Sequence, residues 1–347
     1  MKESQNLALY RKYRPKNFED IIGQDDVINV LKGSVKNGKF SHSYLFAGSR
    51  GTGKTSMARI FSSAIGCSPN DLSEIDAASN RGIDDVRAIR ESVNSLPFES
   101  PYKAYIIDEA HMLTKEAWNA FLKTLEEPPS HAVFIMATTE MEKIPETVLS
   151  RCQIFQFKKP NTNVLRELVL SVAKKEKISL DSAGAELIAL LGDGSFRDTL
   201  GILQKILSFS TDKKISLEEI ETVTGAPKGE TVNSFVTALA EKNLNKALSS
   251  IRKAREDNVD MKVFLKMVLH KMRYVMLVKN APEMVKEIES ELSEKDSKLI
   301  KELARKEGSG ISALSLSELL LAYDGVSRAF IPELPVELAL VNILTTK

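Results

Sequence analysis

The apolar positions of the first 160 or so residues fall into short runs separated by longer amphipathic stretches. Ser43-Tyr44-Leu45-Phe46-Ala47, Leu72-Ser73-Glu74-Ile75, Lys103-Ala104-Tyr105-Ile106-Ile107-Asp108 and Ala132-Val133-Phe134-Ile135-Met136-Ala137-Thr138-Thr139 read as strands. Most of them are apolar almost throughout, as strands buried on both faces are. Between them the period becomes helical. Residues 25–37 place Val27, Val30 and Leu31 on one face, and Ser56–Ile65 reads as a helix behind the first strand. A helix from Ile83 to about Asn94 carries Ile83, Val86, Ile89 and Val93. The helix after Asp108 carries Trp118, Phe121, Leu122 and Leu125, and Glu126-Glu127-Pro128-Pro129 stops it, because proline cannot continue a helix. Strands alternating with helices predict a parallel sheet covered on both faces.

From about Pro160 the pattern predicts helices only. Residues 163–224 read as a small bundle broken at Gly192-Asp193-Gly194 and Gly225. A second helical unit runs from about 228 to the end. Its stripes are Val232, Phe235, Val236 and Leu239, then Leu244, Ala247, Leu248 and Ile251, then Leu265, Val268, Leu269 and Met272. They serve a core or an interface between subunits. The expected division is residues 1–161, 162–225 and 226–347.

Composition adds little beyond size. The 347 residues exceed one ordinary core, and 43% hydrophobic with 27% charged residues is ordinary for a globular protein. A net charge of +1 makes no global demand for nucleic acid, so any DNA contact needs a local basic patch. Two cysteines, Cys67 and Cys152, give no disulfide framework and fit a reducing cytosol. No apolar run reaches the roughly 18 residues of a membrane span, and Met1–Asn6 does not open an apolar leader, so a cytoplasmic protein without membrane contact is expected.

The chemistry concentrates after the first strand, in Gly48-Ser49-Arg50-Gly51-Thr52-Gly53-Lys54-Thr55. Strand, glycine loop and helix form the context of a phosphate-binding P-loop. The glycines let backbone N–H groups turn inward to phosphate oxygens, and the helix N-terminus adds partial positive charge. Lys54 would reach the β- and γ-phosphates, and Thr55 would offer its hydroxyl to Mg²⁺. Asp108-Glu109 ends the next buried strand. Asp108 suits a ligand to Mg²⁺, direct or through water, and Glu109 can deprotonate an attacking water. His111 completes a DEAH spelling that some helicases also show, and alone reads as a packing residue. Thr139 ends the next strand, where it either terminates the strand or holds the γ-phosphate or lytic water.

Three further features stay open on the residues alone. Leu7–Gln24 is either a basic arm packed on the core or a base-and-ribose clamp, with Tyr10, Pro15 and Ile22 forming an apolar slot and Arg14 nearby. Arg151, in Ser150-Arg151-Cys152, is too far along the chain to be an obvious ligand of its own P-loop. In Gly194-Ser195-Phe196-Arg197-Asp198, Ser195 reads as an N-cap and Asp198 as its box partner. Arg197 then heads the stripe Leu200, Leu203 and Leu207, and a phosphate would partner its charge.

These residues resemble the AAA+ ATPases, and within them the gamma/tau subunits of bacterial DNA polymerase III clamp loaders. The resemblance runs over essentially the whole length. It is carried by Tyr13-Arg14-Pro15, Phe18-Glu19-Asp20, Gly23-Gln24, Gly48–Thr55, Glu74–Ser79, Asp108-Glu109, Lys123–Pro129, Ala137–Thr139, Ser150–Cys152 and Gly194–Asp198. It implies an α/β AAA+ P-loop domain with a parallel sheet, a small helical lid and an all-α collar that joins subunits. It implies ATP and Mg²⁺ as ligands. Tyr10, Arg14, Pro15, Ile22, Ser49, Arg50, Gly51, Thr52, Gly53, Lys54, Thr55, Ser56, Thr139, Phe196 and Arg197 would lie about the nucleotide. Lys54, Glu109, Arg151 and Arg197 would be catalytic, with Thr139 as sensor 1, Arg197 as sensor 2 and Arg151 as a finger on a neighbour's ATP.

The implied partners are delta, delta-prime and further gamma/tau subunits, the sliding clamp, and primer-template DNA touched through its backbone. Asn80 and Arg81 would make that DNA contact. Equally, Arg81, Arg87 and Arg90 form a solvated face paired with Asp84, Asp85 and Glu91. The implied function is an ATP-driven motor that opens the clamp and loads it on primed DNA. A non-hydrolysing delta-prime-like scaffold and a DNA translocase or helicase are the alternatives. Two departures stand out. The family's four-cysteine zinc module is missing between the P-loop helix and Glu74-Ile75-Asp76. One thiol, Cys67, cannot make a tetrahedral site, so no zinc is expected and packing alone should hold that region. The chain also stops at Lys347, without the long tau extension, as a gamma-like form or a truncation would.

Overall fold

The computed structural model describes residues 7–210, 212, 214–285, 288, 292 and 294–345. Met1–Asn6 and the terminal Thr346 and Lys347 lie outside them. Two compact units emerge. The first holds the chain to Leu165 together with Gly194–Gly201, and the second holds Arg166–Asp193 and the chain from Ile202. The turn and helix start that carry Ser195 and Arg197 thus belong to the same body as the P-loop.

The first unit is built on five parallel strands: β1 (Ser43–Ala47), β2 (Leu72–Asp76), β3 (Lys103–Asp108), β4 (Ala132–Thr138) and β5 (Gln153–Gln156). Their order is β2-β3-β4-β1-β5. Side chains of a strand alternate between faces. One face sends Tyr44, Phe46, Ala104, Ile106, Val133 and Ile135 against Met57 and Phe61 of the P-loop helix, Lys54–Ala64. The other sends Leu45, Tyr105, Ile107, Phe134 and Met136 against Val86 and Ile89 and against Trp118 and Phe121. These come from helices Ile83–Val93 and Lys115–Glu126. Both faces are therefore dry, which is why β1, β3 and β4 are apolar runs.

The register sets the site. Ile107 pairs with Met136 and Ala47 with Thr138, so the ends of β1, β3 and β4 rise together on one edge. The loop after β1 carries the P-loop, the turn after β3 carries Glu109, and Thr139 follows β4.

The structure departs from the sequence expectations in four places. The strand β5 was not expected. Three of its four residues are exposed and only Phe155 is buried, so it carries no apolar run. Residues beyond 160 are not helical only, because Ser179–Leu180 and Lys214–Ile215 form a two-residue parallel ladder, too short to leave a period. In the helix Asp25–Lys36 the buried positions are Val27, Ile28 and Leu31, while Val30 is exposed. At about 100° per residue, positions 27, 28 and 31 span one arc and position 30 falls outside it.

Finally, packing alone does not hold the segment after Cys67. The Asp71 carboxylate accepts the backbone N–H groups of Phe98, Glu99 and Ser100 and the Ser100 hydroxyl. Burial pushes its pKa up, but these four bonds outweigh burial and hold the carboxyl well below its ordinary value.

In the second unit the helices Gly229–Ala240, Leu244–Glu256 and Met261–Asn280 pack around Val232, Phe235, Val236, Leu239, Ile251, Leu265 and Val268, all of them buried. The Phe235 and Phe264 rings meet edge to face at 5.3 Å. Helices Ala313–Val326 and Leu334–Thr345 pack on each other and leave Leu320, Leu321 and Leu338 exposed. Among the described residues no helix is long and apolar enough to cross a membrane.

Candidate active site

Ser49 through Gly53 wrap the N-terminus of the helix Lys54–Ala64. Gly53 caps that helix at φ +101°. Gly51 sits at φ +73°, and a Cβ there would come within 2.0 Å of the Ser195 hydroxyl oxygen. Only glycine tolerates both conditions. The Phe196 N–H donates to the Gly51 carbonyl at 3.0 Å, so the P-loop is bonded to the helix that begins at Phe196. Ser195 caps that helix as expected, its hydroxyl accepting the Asp198 N–H at 3.1 Å.

Lys54 is buried, and its ammonium donates to the carbonyls of Gly48 at 2.7 Å and Ser49 at 2.8 Å. Burial pushes its pKa down, Glu109 and Asp108 pull it back up, and Arg197 adds a smaller downward push. The Thr52 hydroxyl donates to the Ser49 carbonyl at 2.9 Å. Ser49 and Arg50 are themselves exposed on the outer turn of the loop.

The acidic side of the site is as compact. The Thr55 hydroxyl donates to Asp108 Oδ2 at 2.8 Å. These are two hard oxygen donors of the kind Mg²⁺ takes, at the mouth of a phosphate cradle. The next residue, Glu109, has a left-handed backbone at φ 50°, ψ 43°, an uncommon state for a residue with a side chain. Such strain persists where the surroundings enforce it, and it clusters at functional sites. The Thr139 hydroxyl donates to Glu109 Oε2 at 3.2 Å.

The predicted cations divide into three groups. Arg197 lies over the Tyr10 ring, with its guanidinium carbon 5.9 Å from the ring centre. Arg14 donates from Nε to the Ser56 hydroxyl at 3.0 Å, one residue beyond the Mg²⁺-type threonine. Burial and then the nearby Arg59 push its pKa down. Arg14 is therefore anchored on the P-loop helix, while Pro15 is half-buried and Ile22 exposed. Arg151 bonds elsewhere: to the Thr147 carbonyl at 2.6 Å, the Ser150 hydroxyl at 3.2 Å and Glu126 Oε1 at 2.6 Å.

Sequence reasoning underrated His111. Its side chain is only 6% exposed and bridges the acidic turn to Glu140, with Nε2 3.1 Å from Glu140 Oε1. The usable signals were the DEAH spelling and an acid directly after Thr139.

Comparison with known proteins gives this geometry a family. The family described as "DNA polymerase III, delta subunit" matches residues 23–81 and 70–161, and "DNA polymerase III subunits gamma and tau domain III" matches residues 215–347. DNA polymerase III subunit tau of Bacillus subtilis is 39% identical over 296 residues, which cover 79% of this chain and 52% of that protein. Subunit gamma/tau of Mycoplasma pneumoniae is 43% identical over 234 residues, covering 62% of this chain and 34% of that protein. Subunit tau of Escherichia coli is 32% identical over 296 residues, covering 79% and 46%. The chain thus spans about half the length, or less, of these relatives.

Among solved structures, the RuvB Holliday junction branch migration motor of Thermotoga maritima superimposes with a TM-score of 0.53 at 21% identity, over 69% of this chain and 85% of that one. That likeness is one of fold, a parallel sheet covered by helices. With both ends of the chain matched and relatives at 32–43% identity, the chain belongs to the gamma/tau family of DNA polymerase III subunits.

Proposed function

We propose that this chain is the ATP-hydrolysing motor subunit of a DNA polymerase III clamp loader. The observation that carries the reading is the convergence of Thr55 on Asp108 at 2.8 Å and of Thr139 on Glu109 at 3.2 Å beside the buried Lys54. The Thr55 and Asp108 oxygens fit Mg²⁺, which when bound with ATP neutralises phosphate charge.

In this reading Lys54 leaves the Gly48 and Ser49 carbonyls for the β- and γ-phosphates, an exchange of one set of acceptors for another. Glu109 takes the proton of the attacking water, and Thr139 orients Glu109 and that water. Arg197 approaches the γ-phosphate from the helix bonded to Gly51. Tyr10, Pro15, Ile22 and Phe196 border the base and ribose, while Arg14 and Ser56 brace the phosphate end. Arg151 acts in trans on a neighbouring protomer's nucleotide, so an isolated protomer turns over slowly.

The same reading divides the chain into a nucleotide-binding core (1–161), a lid (162–225) and a collar (226–347) that joins subunits. Its partners are delta, delta-prime and further gamma/tau subunits, the sliding clamp, and primer-template DNA met through its backbone near Asn80 and Arg81. It works in the cytoplasm and uses no zinc.

The test is ATP turnover by the full chain, alone and then with clamp-loader partners, clamp and primed DNA, beside Lys54→Ala. Turnover that is low alone, rises with clamp and primed DNA, and vanishes in the variant supports the motor. Nucleotide binding without turnover under every condition points to a delta-prime-like scaffold, and sustained strand separation to a helicase.

A further inference from the structure

The turn after β3 holds Glu109 in a left-handed backbone, and something must enforce that conformation. The residue best placed to do so is His111. Its buried ring spans the ends of two strands. Nδ1 lies 3.1 Å from the Thr138 hydroxyl and 3.5 Å from Glu109 Oε2. Nε2 lies 3.1 Å from Glu140 Oε1. A carboxylate only accepts, so Nε2 carries a proton and donates to Glu140. In the neutral ring Nδ1 then accepts from the Thr138 hydroxyl. That hydroxyl in turn accepts the Glu140 N–H at 3.1 Å, and Lys143 holds the Glu140 carboxylate at 2.7 Å. The ring is therefore fixed on both sides, and its Nδ1 lies near the same Glu109 oxygen that the Thr139 hydroxyl bonds.

We propose that His111 is a positioning residue for Glu109. It clasps the Asp108–His111 turn onto the end of β4, and Glu140 sets the orientation of its ring. The inference rests on the reading of Glu109 as the residue that activates water. It follows from the chemistry of the groups: a base must hold its carboxylate oxygen within hydrogen-bond reach of the water. A misplacement of about 1 Å costs up to roughly 100-fold in rate. A carboxylate on a strained turn has no such precision of its own. The bonds of the clasp supply it, while Lys54 and the P-loop backbone, which would hold the phosphates, are not among its members.

The experiment measures kcat, nucleotide affinity and thermal stability for the full chain in the assembly where the wild type turns over. The variants are His111→Ala, Glu140→Ala, Glu140→Gln and the double alanine. The expected result is about a 10-fold fall in kcat for each alanine variant, with the Kd for a fluorescent ATP analogue within about twofold of wild type. The double variant falls no further than His111→Ala, because both residues act through one network. Glu140→Gln, whose amide oxygen still accepts from Nε2, loses less than Glu140→Ala.

Wild-type kcat in either alanine variant overturns the proposal, as do losses that multiply in the double variant. So does loss of nucleotide affinity in step with thermal stability. If His111→Ala fails to fold, the partly exposed Glu140 decides the matter: full turnover in Glu140→Ala overturns the clasp. A wild-type chain without turnover removes the ATPase reading and this inference with it, whereas an active wild type with unaffected variants removes only the inference.

Discussion

Thr55 and Asp108 lie 53 residues apart in sequence and meet in a 2.8 Å hydrogen bond. One sits at the head of the P-loop helix and the other at the end of β3, two strands away from β1 in the sheet. The bond brings together the two oxygens proposed to hold Mg²⁺. Replacing Asp108 with Asn keeps the shape but removes the charge that would balance Mg²⁺. Turnover should fall by at least about 100-fold, with the Mg²⁺ dependence of nucleotide binding flattened. A titration of binding against Mg²⁺ checks this, and an unchanged Mg²⁺ dependence would remove Asp108 from the metal site.

Gly51 makes a prediction about assembly of the site itself. Its φ of +73° and the 2.0 Å approach of a would-be Cβ to Ser195 leave no room for alanine. The backbone term alone costs about 1–2 kcal/mol in a left-handed residue. Gly51→Ala should therefore lower Tm by several degrees and weaken nucleotide binding, because the bond from Phe196 to the Gly51 carbonyl holds loop and helix together. Calorimetry and nucleotide titration read the two effects. A stable variant with normal affinity would mean that the loop can part from the helix at no cost.

How much of this was legible follows from burial. The strands β1, β3 and β4 are buried at nearly every position, so their apolar runs announced both the sheet and its crossover helices. Strand β5 was silent because three of its four residues face solvent at an edge. The P-loop, Asp108-Glu109 and the Ser195 cap were legible because local backbone chemistry fixes their residue types. The Arg14–Ser56 bond, the Tyr10–Arg197 contact and the His111–Glu140 bridge were not. Each joins side chains brought together by topology, and a residue's type at its own position does not name the partner it will meet. The Asp71 carboxylate was missed because its partners lie about 28 residues on in the chain.

Asp71 yields a pH prediction. Its folded-state pKa is depressed by the bonds from Phe98, Glu99 and Ser100, against the upward push of burial. A carboxylate depressed in the folded state stabilises at pH values above its unfolded pKa, near 4, and the stabilisation fades as pH falls toward the folded value. At neutral pH Asp71→Asn should melt below the wild type. The gap should narrow progressively as pH drops below about 4. Parallel melts from pH 7 to pH 3 decide it, and a gap that stays constant or widens in acid would mean that the charge of Asp71 does not stabilise the fold.

Arg151 is held in cis by Glu126, and both side chains are partly exposed, at 34% and 48%. Such a pair contributes only about 0.2–1 kcal/mol, far less than a desolvated phosphate contact would. On the proposed trans role, the pair is a resting place that a neighbouring nucleotide can outcompete. Two variants separate resting from acting. Arg151→Ala should lose assembly-stimulated turnover by on the order of 1,000-fold, the scale of an arginine finger. Glu126→Ala should keep that turnover and change Tm by no more than a few degrees. Mixed assemblies supply the trans criterion. Protomers lacking Lys54 but keeping Arg151 should restore turnover to neighbours that lack Arg151 but keep Lys54. Should such mixtures stay as inactive as the uniform variants, Arg151 would serve its own protomer, and the bond to Glu126 would be an anchor within the fold.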